Sequence, residues 1–391
     1  MKFLIVSDIF SLESWLIDGN EPEIMPAVYE FYNFLGNHCE HTFDAVIAHP
    51  SVNKVVEFPN GSKVYIHKLK VPVYYIRKFI SLPFLKRKAK KLLKKNLDYT
   101  HVYGMTIYAN VARELGVEYN LKSVGRLFGS LIWDVLKKGR WLKSKTRFHY
   151  QLREIKNPCE LTICTEDGTE FDKAINKYSP RSKVHLLYNG VNQKLKEKLT
   201  SIPVIKIIDG ANEIKFCYIA RLTHWKRQDL ALDIIAKLKA NGLKVSLDIY
   251  GKGEEEFRIR NRIIKLNLSE EVSIKGSISH AQVSSVLSEY QVAMFLYDAS
   301  NLGNAMWEAA LSGRLILTRD TGKTTNIFNK KNAIIMFDEN TDQVVRDILE
   351  LVNHSFTLAQ ESRRTIYSLL PNWQDRLEEE MRLISCMNLY E

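Results

Sequence analysis

Cysteine is scarce. The 391 residues hold five, at 39, 159, 164, 217 and 386, with no Cys-x-x-Cys spacing. An odd, scattered set argues against a disulfide framework and a cysteine-based zinc site, and it fits a reducing cytosol. No apolar run reaches the roughly 18 residues that a membrane-spanning helix needs. The opening Met1–Asp8 reads as a first strand rather than a leader. Two familiar nucleotide motifs are also missing. Gly322-Lys323-Thr324 has the tail of a phosphate-binding loop, but its first glycine would fall at Leu317. Gly251-Lys252-Gly253 lacks the third glycine of a dinucleotide fingerprint, because residue 256 is Glu256.

What is present is length and positive charge. The chain is long enough for two domains with large cores. With 45% hydrophobic and 26% charged residues it has an ordinary globular composition. Its net charge of +11 is unusual, and much of it is local. Arg77 to Lys95 carries nine cations and no acid. Pro83 suits a helix first turn, and Leu85, Ala89, Leu92 and Leu93 fall at helical spacing. A basic amphipathic helix reads as an element for an anionic membrane surface. The alternative is a solvated face on an ordinary helix. Lys137 to Arg147 adds six cations and Trp141. No nucleic-acid motif accompanies this charge, so no nucleic-acid partner is expected.

Strands and helices alternate along the chain, which argues for parallel sheets covered on both faces. The pattern divides into residues 1–195, a linker over about 193–213, a second domain over 214–370, and a final helix over 371–391. In the second domain a strand at Ile214–Tyr218 runs into a loop carrying Arg221 and Lys226. About 80 residues later, Ser300-Asn301-Leu302-Gly303-Asn304 opens a helix that carries Glu308. Helix N-termini offer unpaired amides and partial positive charge, and Arg and Lys add full charges. Together they form a grip for a nucleotide diphosphate, with Glu308 placed for ribose hydroxyls. Ser300 reads as a helix cap. His224 and Trp225 read as loop packing.

These residues carry a resemblance. The run from Ile214 to about Asn353 resembles the donor domain of glycosyltransferase family 4, whose fold is GT-B. Arg221-Leu222-x-x-x-Lys226 is similar to that family's diphosphate clamp. Ile249-Tyr250-Gly251-Lys252-Gly253 is similar to its strand and glycine turn. Val272-x-x-x-Gly276-Ser277-Ile278 is similar to its base-facing loop. Asn301 through Gly313 is similar to its phosphate and ribose helix, and Asp320-Thr321-Gly322 to the loop after the next strand. The resemblance implies an α/β protein of two Rossmann-like domains with parallel sheets facing a central cleft. It implies a last helix crossing back to the first domain, and a retaining transfer from a UDP-sugar. The departing diphosphate would be stabilised by Arg221, Lys226 and helix amides, with no metal and no other cofactor. The implied acceptor is a glycan or polyprenyl-linked glycan, and the implied location is cytoplasmic, on the inner face of the plasma membrane.

The chain departs from the family pattern twice. Where the family often has a first glutamate, eight before Glu308, stands Ser300; eight residues of helix rise about 12 Å, so the resemblance implies that Ser300 faces the transferred sugar, the alternative being a plain cap. Where it often has a histidine after a mid-domain strand, Ser123 to Ser130 has none, and Arg126 is the available charge. Gly19, Arg126 and Asp167 are the acceptor-side candidates. Two rival functions share the same grip. A nucleotide-sugar epimerase would make a new sugar nucleotide from donor alone. A donor-binding pseudoenzyme would bind without turnover.

Overall fold

A computed structural model describes residues 1–8, 12–20, 26–37, 40–70, 74–139, 145–146, 148–205, 213–351 and 354–389. The chain forms two compact units. One is Met1–Glu166, Glu170–Gly190 and Trp373–Glu391, and the other is Asp167–Thr169 with Val191–Asn372.

The first unit is built on eight strands: β1 (Lys2–Asp8), β2 (Thr42–His49), β3 (Lys54–Glu57), β4 (Lys63–Lys68), β5 (His101–Met105), β6 (Lys122–Leu127), β7 (Leu161–Thr165) and β8 (Lys183–Leu187). Their order is β3-β4-β2-β1-β5-β6-β7-β8, and every pairing is parallel except the edge pair β3–β4. Strand β1 shows why its sequence is an unbroken apolar run. Phe3 and Ile5 enter one core with Phe31 and Leu35 of the helix Pro26–Asn37 and Leu377 of the helix Trp373–Ser385. Leu4 and Val6 enter the opposite core. A strand buried on both faces has no side left for polar residues.

The basic helix spans Tyr74–Lys95, so Pro83 lies inside it and not in its first turn. Its apolar stripe, Leu85, Ala89 and Leu93, is packed in the core beside Leu4 and Val6. Lys86 and Lys90 pair with Glu114 (2.5 Å) and Glu118 (2.6 Å) of the neighbouring helix Ala109–Tyr119. The apolar face is therefore occupied by the fold, while Arg87, Lys91, Lys94 and Lys95 remain exposed. In the second cationic cluster, residues 140–144 and 147 lie outside the described residues. Among the described residues no helix is long and apolar enough to cross a membrane.

The second unit has six strands: β9 (Ile214–Ile219), β10 (Val245–Tyr250), β11 (Val272–Gly276), β12 (Val292–Phe295), β13 (Leu315–Arg319) and β14 (Ile334–Met336). All pairings are parallel, in the order β11-β10-β9-β12-β13-β14. The strand order reverses between β9 and β12, which is where doubly wound sheets bind ligands at their carboxyl ends. The stretch expected as a linker begins with a helix, Gln193–Thr200, whose cap Asn192 accepts from the Leu195 amide at 3.3 Å. Residues 206–212 lie outside the described residues.

Candidate functional site

Strand β9 delivers Arg221 and Lys226 at the reversal point. The strand ends at Ile219, and His224–Lys226 form a single 3₁₀ turn. Buried Tyr218 pins this turn. Its hydroxyl donates to the Lys226 carbonyl and accepts from the Leu296 amide of the adjacent strand's end (3.1 Å). A further bond runs from the Asp298 amide to the Trp225 carbonyl (2.9 Å). The Arg221 side chain is exposed, and its carbonyl accepts from Gln228 at 3.1 Å. Lys226 is half-buried, with its amine 3.3 Å from the centre of the Tyr297 ring and 4.0 Å from that of Trp225. Burial pushes this amine down to about 7; Arg221 pushes the same way, and Asp167 opposes them.

Beneath the turn lies an ionic lattice that the sequence did not signal. Arg227, in the left-handed region at φ 52°, pairs with Asp229, Asp298 and Glu339. Arg319 pairs with Asp298 and Glu339. Hydrogen bonding to Arg227 is the main reason the Glu339 carboxyl falls to about 2.

The next loops are brought in by glycine. A Cβ on Gly251 would lie 1.9 Å from the Ala220 carbonyl oxygen, and one on Gly253 would lie 2.1 Å from that of Leu222. Only glycine lets these backbones approach so closely. The approach is sealed by bonds from Ala220 to Tyr250 (2.9 Å), Leu222 to Lys252 (3.0 Å) and Gly251 to Gly276 (2.8 Å). Gly276, at φ +76°, turns the chain toward exposed Ser277 and half-buried Ile278. Ser279 then caps a short 3₁₀ turn, His280–Gln282, through a capping box.

The helix after β12 begins later than expected. It runs Asn304–Leu311 with Gly303 as its N-cap, so Ser300 to Leu302 are loop. The 12 Å helical span from Ser300 to Glu308 does not exist as a helix. Ser300 is buried beside Gly168, whose Cβ position would lie 2.8 Å from the serine oxygen. Asn301 is buried too, and its carboxamide is spent on the loop. It accepts from the Tyr297 amide (2.9 Å) and donates to Thr321 (2.8 Å). Leu302 is buried. Gly303 and Asn304 are exposed at the helix start; the Gly303 amide donates to the Asn301 carbonyl at 2.8 Å, while the Asn304 amide, in the first turn, has no intrahelical acceptor. Glu308 is buried and receives a partner the sequence did not suggest, His280, at 2.9 Å. The hydrogen bond to Glu308 raises the His280 pKa.

The acceptor-side candidates separate. Asp167 belongs to the second unit, and its carboxylate accepts from the Thr169 amide (3.0 Å) and hydroxyl (2.6 Å). The Gly168 carbonyl accepts from the Lys323 amide at 3.2 Å. Gly19 ends the short helix Glu13–Asp18 in the left-handed conformation, with open space around it. Arg126 is not a free charge. It is buried, 3.5 Å from Glu380, which also pairs with buried Arg376 at 2.7 Å and accepts from the Tyr103 hydroxyl. Among the described residues no group of three or more His, Cys, Asp or Glu could hold a metal ion.

Residues 206–368, within the second unit, match the family model described as Glycosyl transferases group 1. Poly(ribitol-phosphate) alpha-N-acetylglucosaminyltransferase of Staphylococcus aureus (strain COL) is 26% identical over 145 residues, covering 37% of this chain and 29% of that protein. The GtfA subunit of a UDP-N-acetylglucosamine–peptide N-acetylglucosaminyltransferase from Streptococcus gordonii is 25% identical over 154 residues, covering 38% of this chain and 30% of its own. The match thus spans under a third of either relative. Among solved structures, sucrose-phosphate synthase from Thermosynechococcus elongatus aligns over 100% of both chains, with TM-score 0.74 and 16% identity. Anabaena HepE in complex with UDP and glucose aligns over 98% of this chain and 99% of its own, with TM-score 0.68 and 14% identity. The fold is therefore GT-B.

Proposed function

We propose that this chain is a retaining glycosyltransferase that moves a sugar from a UDP-sugar to a glycan or lipid-linked glycan acceptor. The observation that carries the reading is the convergence at the β9/β12 reversal. Two cations, two glycine turns, a free helix start and a buried carboxylate meet at one sheet edge of the second unit. The UDP-N-acetylglucosamine in the GtfA subunit's name and the UDP held by HepE support the choice of donor.

In this reading the diphosphate lies across Arg221, Lys226 and the Asn304 amide, with Gly303 leaving room for its approach because it carries no side chain. Glu308 accepts from the ribose hydroxyls, and Gly276, Ser277 and Ile278 face the base. The leaving diphosphate gains charge as the glycosidic bond breaks, and preorganised cations and amides stabilise that charge. The same oxygen then takes the acceptor proton on the same face, which keeps the anomeric configuration. These groups supply the charge that a metal ion would otherwise bring. The exposed cations of the helix Tyr74–Lys95 are read as a contact for an anionic membrane surface carrying the acceptor.

The test is thermal stabilisation by a panel of nucleotides and nucleotide sugars, with Glu308→Ala as control. A ligand bound only to the native state adds about 2.7 kcal/mol at a hundredfold excess over Kd. The expected result is a shift with one nucleotide that the variant loses. No shift with any of them overturns the donor-site reading.

A further inference from the structure

Resting on that donor-site reading, we infer that Trp225 and Tyr297 are positioning residues that form an aromatic slot for the Lys226 amine, so that diphosphate binding is coupled to uptake of a proton by that amine.

The geometry is specific. The amine sits 3.3 Å from one ring centre and 4.0 Å from the other, and the two rings meet edge to face, 5.7 Å between centroids at 73°. Neither ring is loose. Tyr297 is buried, its amide is held by Asn301, and its carbonyl accepts from the Thr321 hydroxyl at 3.0 Å. Trp225 is held through its carbonyl by the Asp298 amide. This gives buried Asn301 a role that its sequence position did not show. It fixes the ring that fixes the lysine.

The charged groups facing the amine are few. Arg221 comes from its own loop and opposes a positive charge, and Asp167 comes from the 167–169 loop and favours one. Tyr218 from β9 and Tyr297 after β12 are buried phenols held above their ordinary range, so they stay neutral. Arg227, Asp298, Arg319 and Glu339 neutralise one another in the lattice below. Ring faces attract a cation, but they do not replace water fully, and the depressed amine reports that deficit. A diphosphate supplies the missing negative charge and restores the ammonium. The sign follows. Below about pH 7 the amine is already charged, and binding takes up little. Above it, each binding event takes up a proton, and affinity falls by about tenfold per pH unit.

The experiment is titration calorimetry with UDP-N-acetylglucosamine, whose diphosphate has no group titrating near neutrality. It is run at about pH 8 in two buffers of different ionisation enthalpy. Uptake close to one proton is expected, with Trp225→Phe keeping it and Trp225→Leu binding with little uptake. A purely structural tryptophan would weaken binding in the leucine variant and leave the uptake unchanged, which overturns the inference. Binding by the wild type with no buffer dependence overturns it as well, and leaves the donor site standing. A second readout needs no ligand. Competitive acetylation against pH should place Lys226 near 7 in the wild type and measurably higher in Trp225→Leu, where water reaches the amine. An ordinary lysine profile in the wild type defeats the slot even if no sugar nucleotide binds.

Discussion

At the scale of single residues, the site depends on pairs that fix each other. His280 and Glu308 are the clearest case. The histidine pKa is raised by the carboxylate, so its contribution is complete below the unfolded value of about 6.5 and is lost as pH rises through the raised folded value. The histidine side chain is 45% exposed, so solvent screening holds the effect under about 1 kcal/mol. Urea melts at about pH 6 and pH 9 should therefore differ less in His280→Gln than in the wild type. An unchanged difference would mean that the pair carries no charge. Glu308 is legible from the sequence as the only carboxylate in the run from Ser300 to Gly313. His280 was not, because nothing in Ser279-His280-Ala281-Gln282 announces which distant helix it will meet. Tyr297 was missed for the same reason. Trp225 reads as loop packing in the sequence, which gives no sign that its ring lies against the Lys226 amine.

At the scale of elements, the strands were readable because parallel strands buried on both faces need continuous apolar runs, as in Phe3-Leu4-Ile5-Val6 and Val292–Phe295. Helix starts were less readable. Asn301 and Leu302 have helical periodicity with Ala305 and Glu308, yet the carboxamide of Asn301 is drawn to Tyr297 and Thr321, and the helix waits until Asn304. Gly251 falls just after the strand Val245–Tyr250, and the structure adds why it is glycine. Its φ of +149° and the Ala220 oxygen both exclude a Cβ. Gly251→Ala should cost at least about 2 kcal/mol in chemical unfolding. A variant as stable as the wild type would show that the two loops separate freely. The basic helix is legible in the sequence, but its pattern does not show that the apolar stripe belongs to the core. What remains is charge, and charge alone is sensitive to salt. Replacing Arg87, Lys91 and Lys94 by glutamine should reduce binding to anionic vesicles at low salt and leave the melting temperature nearly unchanged. Equal vesicle binding by wild type and variant would make this a solvated face.

At the scale of the whole molecule, the first unit is discontinuous in sequence, and its last helix supplies a buried carboxylate. Glu380 serves Arg126, Arg376 and Tyr103 at once, and the two guanidinium groups hold its pKa down against burial. Removing that charge leaves two buried cations without a counter-ion, so Glu380→Gln should destabilise the first unit by about 3–5 kcal/mol. Two-probe melting can check this, with ligand-dependent stabilisation as the marker for the second unit. A variant that melts as the wild type does would show that water compensates the pair. The discontinuity has a consequence for synthesis. Chains usually fold from the amino end as they leave the ribosome. Here the second unit has all of its residues once Asn372 is made, while the first still waits for Trp373–Glu391. The half translated first is the half finished last. Until those residues emerge, the core around Phe3 and Ile5 lacks the side chains of Leu377 and Met381 that close it.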